Sequence, residues 1–270
     1  MSFLRPGFVG ILLCLGFCIP GLAQGVKTVF LEELTWTELR DEVKAGRTTV
    51  IVPVGGTEQS GPHIVLGKHN VRVRLLAARI ASGLGNALVA PVIAYVPEGR
   101  IDPPAGHMRF AGTISIPEGA FEATLEGAAR SLRQAGFRDI VLIGDHGGYQ
   151  KSLTRVAARL AREWAASPVR VHAVEEYYRS ADHEMAQALR RQGLGDAEIG
   201  THAGAADTSL ALGVDEQLVR AARLQDGSPL GSAEGVQGDP RRANVAAGRA
   251  AAELIVARTR AAIQREVARH

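Results

Sequence analysis

Glu58 stands in a glycine-rich segment, Pro53-Val54-Gly55-Gly56-Thr57-Glu58-Gln59-Ser60-Gly61-Pro62-His63, directly behind an apolar, β-branched run, and His69 follows shortly after. A second apolar run, Ile140-Val141-Leu142-Ile143, ends in Gly144-Asp145-His146-Gly147-Gly148. A carboxylate and imidazoles delivered to such positions are the donor types of a divalent-metal site and of acid/base chemistry. The two glycines after His146 let backbone approach a ligand closely. Each segment alone also admits a plainer role, with Glu58 capping a turn beside solvated histidines and His146 capping the next helix. A serine hydrolase built on Ser60 and His63 is disfavoured, because no Gly-x-Ser-x-Gly elbow surrounds the serine.

The elements that must position these groups follow a regular rhythm. Thr35-Trp36-Thr37-Glu38 reads as a capping box opening a helix that runs to Gly46. The run over 48–54 has no polar alternation, as expected of a strand buried on both faces of a parallel sheet. Helices over about 71–81, 118–134 and 153–164 then alternate with strands over 88–95, 139–143 and 169–174, and Asn70 is the expected N-cap of the first. Beyond Tyr178 the pattern is helical: 179–192, a loop to Gly204, short helices within 207–224, a Gly/Pro-rich loop and a long helix from about Asn244. Alternating strands and helices predict one three-layer α/β/α domain around a mostly parallel central sheet. In such sheets ligands collect beyond the carboxyl ends of the strands. That rule selects the segments 55–70, 96–112 and 144–150, which hold His63, His69, His107 and His146. His107 is a candidate for lining the substrate pocket or for a plain exposed loop position, and Glu175 to Tyr178, read as closing another strand, are candidates for bordering the pocket or for ordinary packing. His172 and His183 are assigned to packing and surface.

The first 23 residues are read as a cleaved secretory signal, leaving 24–270 as the mature domain. Arg5 precedes an apolar stretch over 8–19, and Gly21-Leu22-Ala23 ends in small residues. Pro20 and the shortness of the stretch argue against a membrane anchor, which needs about 20 apolar residues. The expected location is therefore secreted or periplasmic. Both cysteines, Cys14 and Cys18, fall in this segment, so thiolate ligands, disulfides and cysteine nucleophiles are excluded from the mature chain. Losing Arg5 takes one charge from 31 basic residues set against 28 acidic ones, and no basic run marks a nucleic-acid surface. No Walker loop or dinucleotide fingerprint follows a strand, which disfavours nucleotide cofactors. A small molecule is the expected partner.

Five segments in order resemble the creatininase-like amidohydrolases. They are the run from Pro53 to Leu66, then Phe110-Ala111-Gly112-Thr113-Ile114-Ser115-Ile116, and Gly136-Phe137-Arg138 followed by Gly144 to Tyr149. After these come His202-Ala203-Gly204-Ala205-Ala206-Asp207-Thr208-Ser209 and Gly235-Val236-Gln237-Gly238-Asp239-Pro240. The resemblance implies a metal-dependent hydrolase of cyclic amides or related C–N bonds, usually with two divalent ions, and a homo-oligomer, often a hexamer. Glu58 and His146 match metal ligands, and His202 matches a residue near the substrate suited to proton transfer. Three positions depart from the pattern: Ser60 stands where the family has a ligand histidine, His69 where it has a bridging aspartate, and Gly148 where creatininase has a second glutamate ligand.

A neutral imidazole offers one free nitrogen to one ion, whereas a carboxylate can bridge two. The departures therefore predict one ion rather than two, most naturally zinc with manganese or iron as alternatives, held by Glu58, His69 and His146. His202, Asp207 and His63 are the candidates for proton transfer, with Asp207 weighed equally as a fourth ligand and as the group orienting His146. The expected activity is cleavage of an amide or other non-peptide C–N bond in a small, including cyclic, substrate. Processing of a short or modified peptide is the rival activity, and a catalytically silent binding protein on the same fold is the third reading.

Overall fold

The computed structural model describes residues 28–269; the signal segment read over 1–23 and terminal His270 lie outside them. Thr35 opens α1 (Trp36–Lys44), and its side chain and that of Glu38 cap each other's backbone N–H groups. Then come β1 (Thr49–Val54), α2 (Lys68–Leu84), β2 (Ala87–Val89), α3 (Glu118–Gln134), β3 (Asp139–Gly144), α4 (Gln150–Glu163) and β4 (Arg170–Ala173). The remainder is helical: α5 (Glu176–Arg191), α6 (Asp196–Ile199), α7 (Ala205–Val214), α8 (Ala221–Gln225) and α9 (Val245–Ala268).

The four strands pair in the order β2-β1-β3-β4, all parallel. Every residue of β1 and β3 is buried, as their unbroken apolar composition predicts. Successive side chains alternate between faces. Ile51, Val141 and Ile143 pack with α2, α5, α7 and α9, whereas Val50, Val52, Ile140 and Leu142 pack with α3 and α4. The outcome is the expected α/β/α sandwich, with the carboxyl ends of β1 and β3 adjacent in register at Val54 and Gly144. No helix among the described residues is long and apolar enough to cross a membrane.

Several boundaries differ from the sequence reading: α4 begins at Gln150 and α5 at Glu176, so Glu175 to Tyr178 open a helix instead of closing a strand. The strand expected over 88–95 stops at Val89, and Pro91, which lacks an N–H for a ladder, follows; only an isolated bridge joins Val54 to Ile93. Helix α2 begins at Lys68, placing His69 and Asn70 inside its first turn. Asn70 does not cap the helix; its Oδ1 accepts the Gly56 N–H at 2.9 Å and ties α2 to the turn after β1. The loop expected between 192 and 204 contains α6.

Candidate metal centre

Glu58 is fully buried just beyond β1, and three imidazoles converge on it. His69 Nε2 lies 3.0 Å from Oε2, His107 Nε2 3.1 Å from Oε1, and His146 Nε2 3.6 Å from Oε1. The rings of His69 and His146 stand edge to face with centroids 5.3 Å apart. Early initiation of α2 presents Lys68, His69 and Arg72 on its buried face, toward the carboxyl end of β3. There Tyr149 fastens the two strand ends. Its hydroxyl accepts from the N–H groups of Asp145 and His146, both at 3.1 Å, and donates toward the carbonyls of Val54 and Gly55.

Asp145 orients His69. It lies 2.6 Å from His69 Nδ1 and favours the N–H there, which with a cation bound would leave the Nε2 lone pair on the Glu58 side. Arg72 Nε at 2.8 Å and the Tyr177 hydroxyl at 2.7 Å hold Asp145 in turn. This aspartate precedes His146 in the chain but serves His69, a pairing that only the folded loops create.

Asp207 corrects the sequence reading. It neither joins the Glu58 cluster nor orients His146. Its Oδ1 accepts from Arg72 at 3.0 Å, while Oδ2 accepts from Lys68 and from the Ala203 N–H. Burial alone would raise its pKa, but the charges of Lys68 and Arg72 hold it well below the usual carboxylate range, so it is no proton carrier. Lys68, only 1 % exposed, requires that counter-charge. His63 is also misplaced for proton transfer. It is fully buried beneath the cavity, with Nε2 3.0 Å from Thr208 Oγ1, and it does not line the cavity wall.

His202 and His107 do face the cavity, their rings 4.3 Å apart. Gln59 links them: its amide lies 2.8 Å from His107 Nδ1 and 3.1 Å from His202 Nε2, and its backbone carbonyl lies 2.9 Å from the same His202 nitrogen. Tyr178 lines the wall as well, and the cavity measures about 280 Å³. Of the two histidines assigned elsewhere, His172 bonds Asp139 and His183 is exposed.

Glu98 was not anticipated. Its carboxylate is buried near Glu58 and His146, with neither oxygen hydrogen-bonded, and Glu58 Oε1 also lacks a hydrogen-bond partner. Two sets of donor atoms lie within 4.8 Å of one another: Glu58 with Glu98 and His146, and Glu58 with His107 and His202. His69 belongs to neither set, although it approaches Glu58 from the other oxygen. Orphaned buried carboxylate oxygens amid imidazoles fit a divalent cation.

The electrostatics agree with that fit. Burial would raise the Glu58 pKa, yet the His69 hydrogen bond and the charges of Lys68, His146 and His69 hold it far below the ordinary value. Burial, then the Glu58 charge, pushes Glu98 up to about 9. Burial also pushes His146, His202 and His63 down to about 4, with His69 repelling a proton on His146 and Lys68 repelling one on the other two. Neutral rings offer lone pairs.

A pH dependence of stability follows. An unfolded chain protonates these histidines near 6.5, the native metal-free protein only near 4. Between those values the unfolded state binds more protons, so stability is expected to fall as pH drops from about 6.5 to 4, with no further loss from these groups below 4. Urea midpoints of metal-free protein at pH 7, 5.5 and 4.5 should decline in that order. His63→Gln should flatten the decline, and an unchanged slope would refute the assignment for His63.

The family model for creatinine amidohydrolase matches residues 32–263. The creatinine amidohydrolase of Pseudomonas putida is 30% identical over 208 residues, covering 75% of this chain and 78% of that protein. The mycofactocin precursor peptide peptidase of Mycobacterium tuberculosis is 35% identical over 124 residues, 43% of this chain and 47% of that one. A manganese creatininase structure superimposes with a TM-score of 0.72 at 27% identity, covering 89% of this chain and 99% of its own. A Zn–Zn creatininase mutant does so with 0.71 at 28%, over the same shares. With its ordered motifs, parallel sandwich and strand-end donor cluster matched across most of its length, the chain belongs to the creatininase family of amidohydrolases.

Proposed function

We propose that the protein is an exported hydrolase that uses one divalent cation, most naturally zinc, to cleave an amide or other non-peptide C–N bond of a small substrate, cyclic ones included. The observation that carries this reading is the fully buried Glu58 carboxylate, approached by three imidazoles yet with one oxygen lacking a hydrogen-bond partner. Glu58, His146 and His69 would hold the ion, with Asp145 fixing the His69 tautomer. When bound, such an ion lowers the pKa of a water toward about 7 and polarises a carbonyl.

The chain's own residues do the rest. Gln59 holds His107 and His202 at the cavity wall, and His202, neutral at physiological pH, can accept a proton there and return it to a leaving nitrogen. A cavity of about 280 Å³ lies at the small end of ligand sites and favours compact substrates. Ser60, His69 and Gly148 differ from the creatininase ligand pattern, which places creatinine itself outside the proposal. Assembly as a homo-oligomer and cleavage near Ala23 belong to the same reading. The mycobacterial relative makes short peptides the second substrate class to test.

Metal quantification on the mature protein, combined with a screen of lactams, cyclic ureides and short peptides, tests the reading. One ion per chain and a Glu58-dependent turnover of a small amide are expected. A metal-free preparation that cannot be loaded, unchanged by Glu58→Ala, would instead identify a silent binding protein.

A further inference from the structure

We infer that Glu98 is itself a ligand of the cation, a second carboxylate delivered by the loop after β2 in place of the one creatininase carries at the position of Gly148. The inference rests on the metal-dependent reading above and extends it to a residue outside the ligand set implied by resemblance.

Four observations carry it. Both Glu98 oxygens are shielded from solvent and lack a hydrogen-bond partner, an arrangement costly for any carboxyl group unless something else binds it. Its donor atoms converge with those of Glu58 and His146, and His146 Nδ1 lies 3.4 Å from Oε2. The loop that supplies it is pinned: Ser115 Oγ accepts from the N–H groups of Glu98 and Gly99, at 3.0 and 3.2 Å, and donates to the Gly99 carbonyl. Finally, the turn after β1 leaves room for it. A Cβ at Gly56 would stand 2.4 Å from Glu98 Oε1, and the φ of Gly56 is +149°.

Position 148 shows the complementary exclusion. A Cβ there would lie 2.9 Å from His146 Cε1 and 3.1 Å from Nδ1, so a longer side chain is incompatible with the present ring orientation. The carboxylate beside His146 is therefore supplied from the loop after β2. In the other set, Glu58 with His107 and His202, the Gln59 amide and backbone carbonyl both engage His202 Nε2, while in the Glu98 set His146 Nδ1 accepts the Gly148 N–H and Nε2 stays toward Glu58. Two carboxylates balance the charge of a divalent ion, and an oxygen-richer donor set accepts manganese or iron as well as zinc.

The test uses the mature protein stripped by chelator and titrated calorimetrically with Mn²⁺ and with Zn²⁺. Glu98→Gln is expected to weaken both by at least about tenfold, the lower bound for losing even an outer-shell partner. Its metal-free melting temperature should stay close to that of the unmodified protein, since one unpartnered buried group replaces another of the same shape. Glu98→Asp, which keeps the charge and retracts it by one methylene, should fall between the two, and its unchanged affinity would count against the assignment if Glu98→Gln fails to fold. Undiminished affinity in Glu98→Gln while Glu58→Gln loses metal would overturn the Glu98 assignment alone. Undiminished affinity in both variants would instead overturn the metal reading beneath it. A lowered metal-free melting temperature with unchanged affinity would show a structural carboxyl group and also overturn the assignment.

Discussion

Glu58→Gln is expected to abolish stoichiometric metal and hydrolysis together while leaving the fold intact. The side chain is fully buried and isosteric with glutamine, so packing against the β1 turn survives. What disappears is the anion on which His69, His107 and His146 all converge. Changes behind a metal ligand cost 10–100-fold in affinity, so loss of the shared ligand should exceed about 100-fold. Without bound cation the substrate carbonyl and the attacking water lose their activation. Metal content after dialysis, Zn²⁺ calorimetry and the thermal melt of the metal-free variant separate loss of binding from loss of fold. A variant that retained one tightly held ion and normal turnover would defeat the site as described. His63→Gln is the matched control: the same exchange of a buried polar side chain, but away from the cavity, should leave metal content unchanged.

Much of this arrangement is legible in the amino-acid sequence because it rests on local rules. Strands β1 and β3 announce themselves as unbroken apolar runs, and a carboxylate or imidazole at the end of each can only emerge at one edge of a parallel sheet. Glu58 and His146 converge at that edge for this reason, and His69 approaches Glu58 there without joining either convergent donor set. The errors concern groups whose partners lie far away in sequence. Asp207 looks like a ligand beside His202, but Lys68 and Arg72, one turn apart on α2, claim its oxygens. Lys68 itself gives no signal, since a lysine between Gly67 and His69 reads as an exposed residue ahead of a helix, not as one of the most buried side chains in the domain. Glu98 sits in a loop flagged as a strand end, yet nothing in Pro97-Glu98-Gly99 says that its carboxylate turns inward. The available clue lay elsewhere, in Gly56, whose missing side chain makes the space.

The second large effect should appear in stability. Asp207→Ala is expected to destabilise the protein by about 3–5 kcal/mol, the range for removing one partner of a buried ion pair. Lys68 is nearly inaccessible and has Asp207 as its carboxylate partner, so the truncation strands an ammonium group in the interior. Arg72 fares better, because Asp145 still accepts from its Nε. That asymmetry yields a sharper test than the single variant. Lys68→Met alone leaves Asp207 paired with Arg72 and should cost less than Asp207→Ala. Combining Lys68→Met with Asp207→Leu replaces the pair by apolar side chains and should recover most of the loss that Asp207→Leu causes alone, giving a strongly non-additive cycle. Urea unfolding of the metal-free proteins measures all four corners. Additive effects, or a loss below about 1 kcal/mol in Asp207→Ala, would mean that water reaches the Lys68 ammonium and that the buried network does not hold α2 against α7. Such a result would also loosen the chain of contacts from Asp207 through Arg72 and Asp145 to His69, making the tautomer of that imidazole a local matter of Asp145 alone.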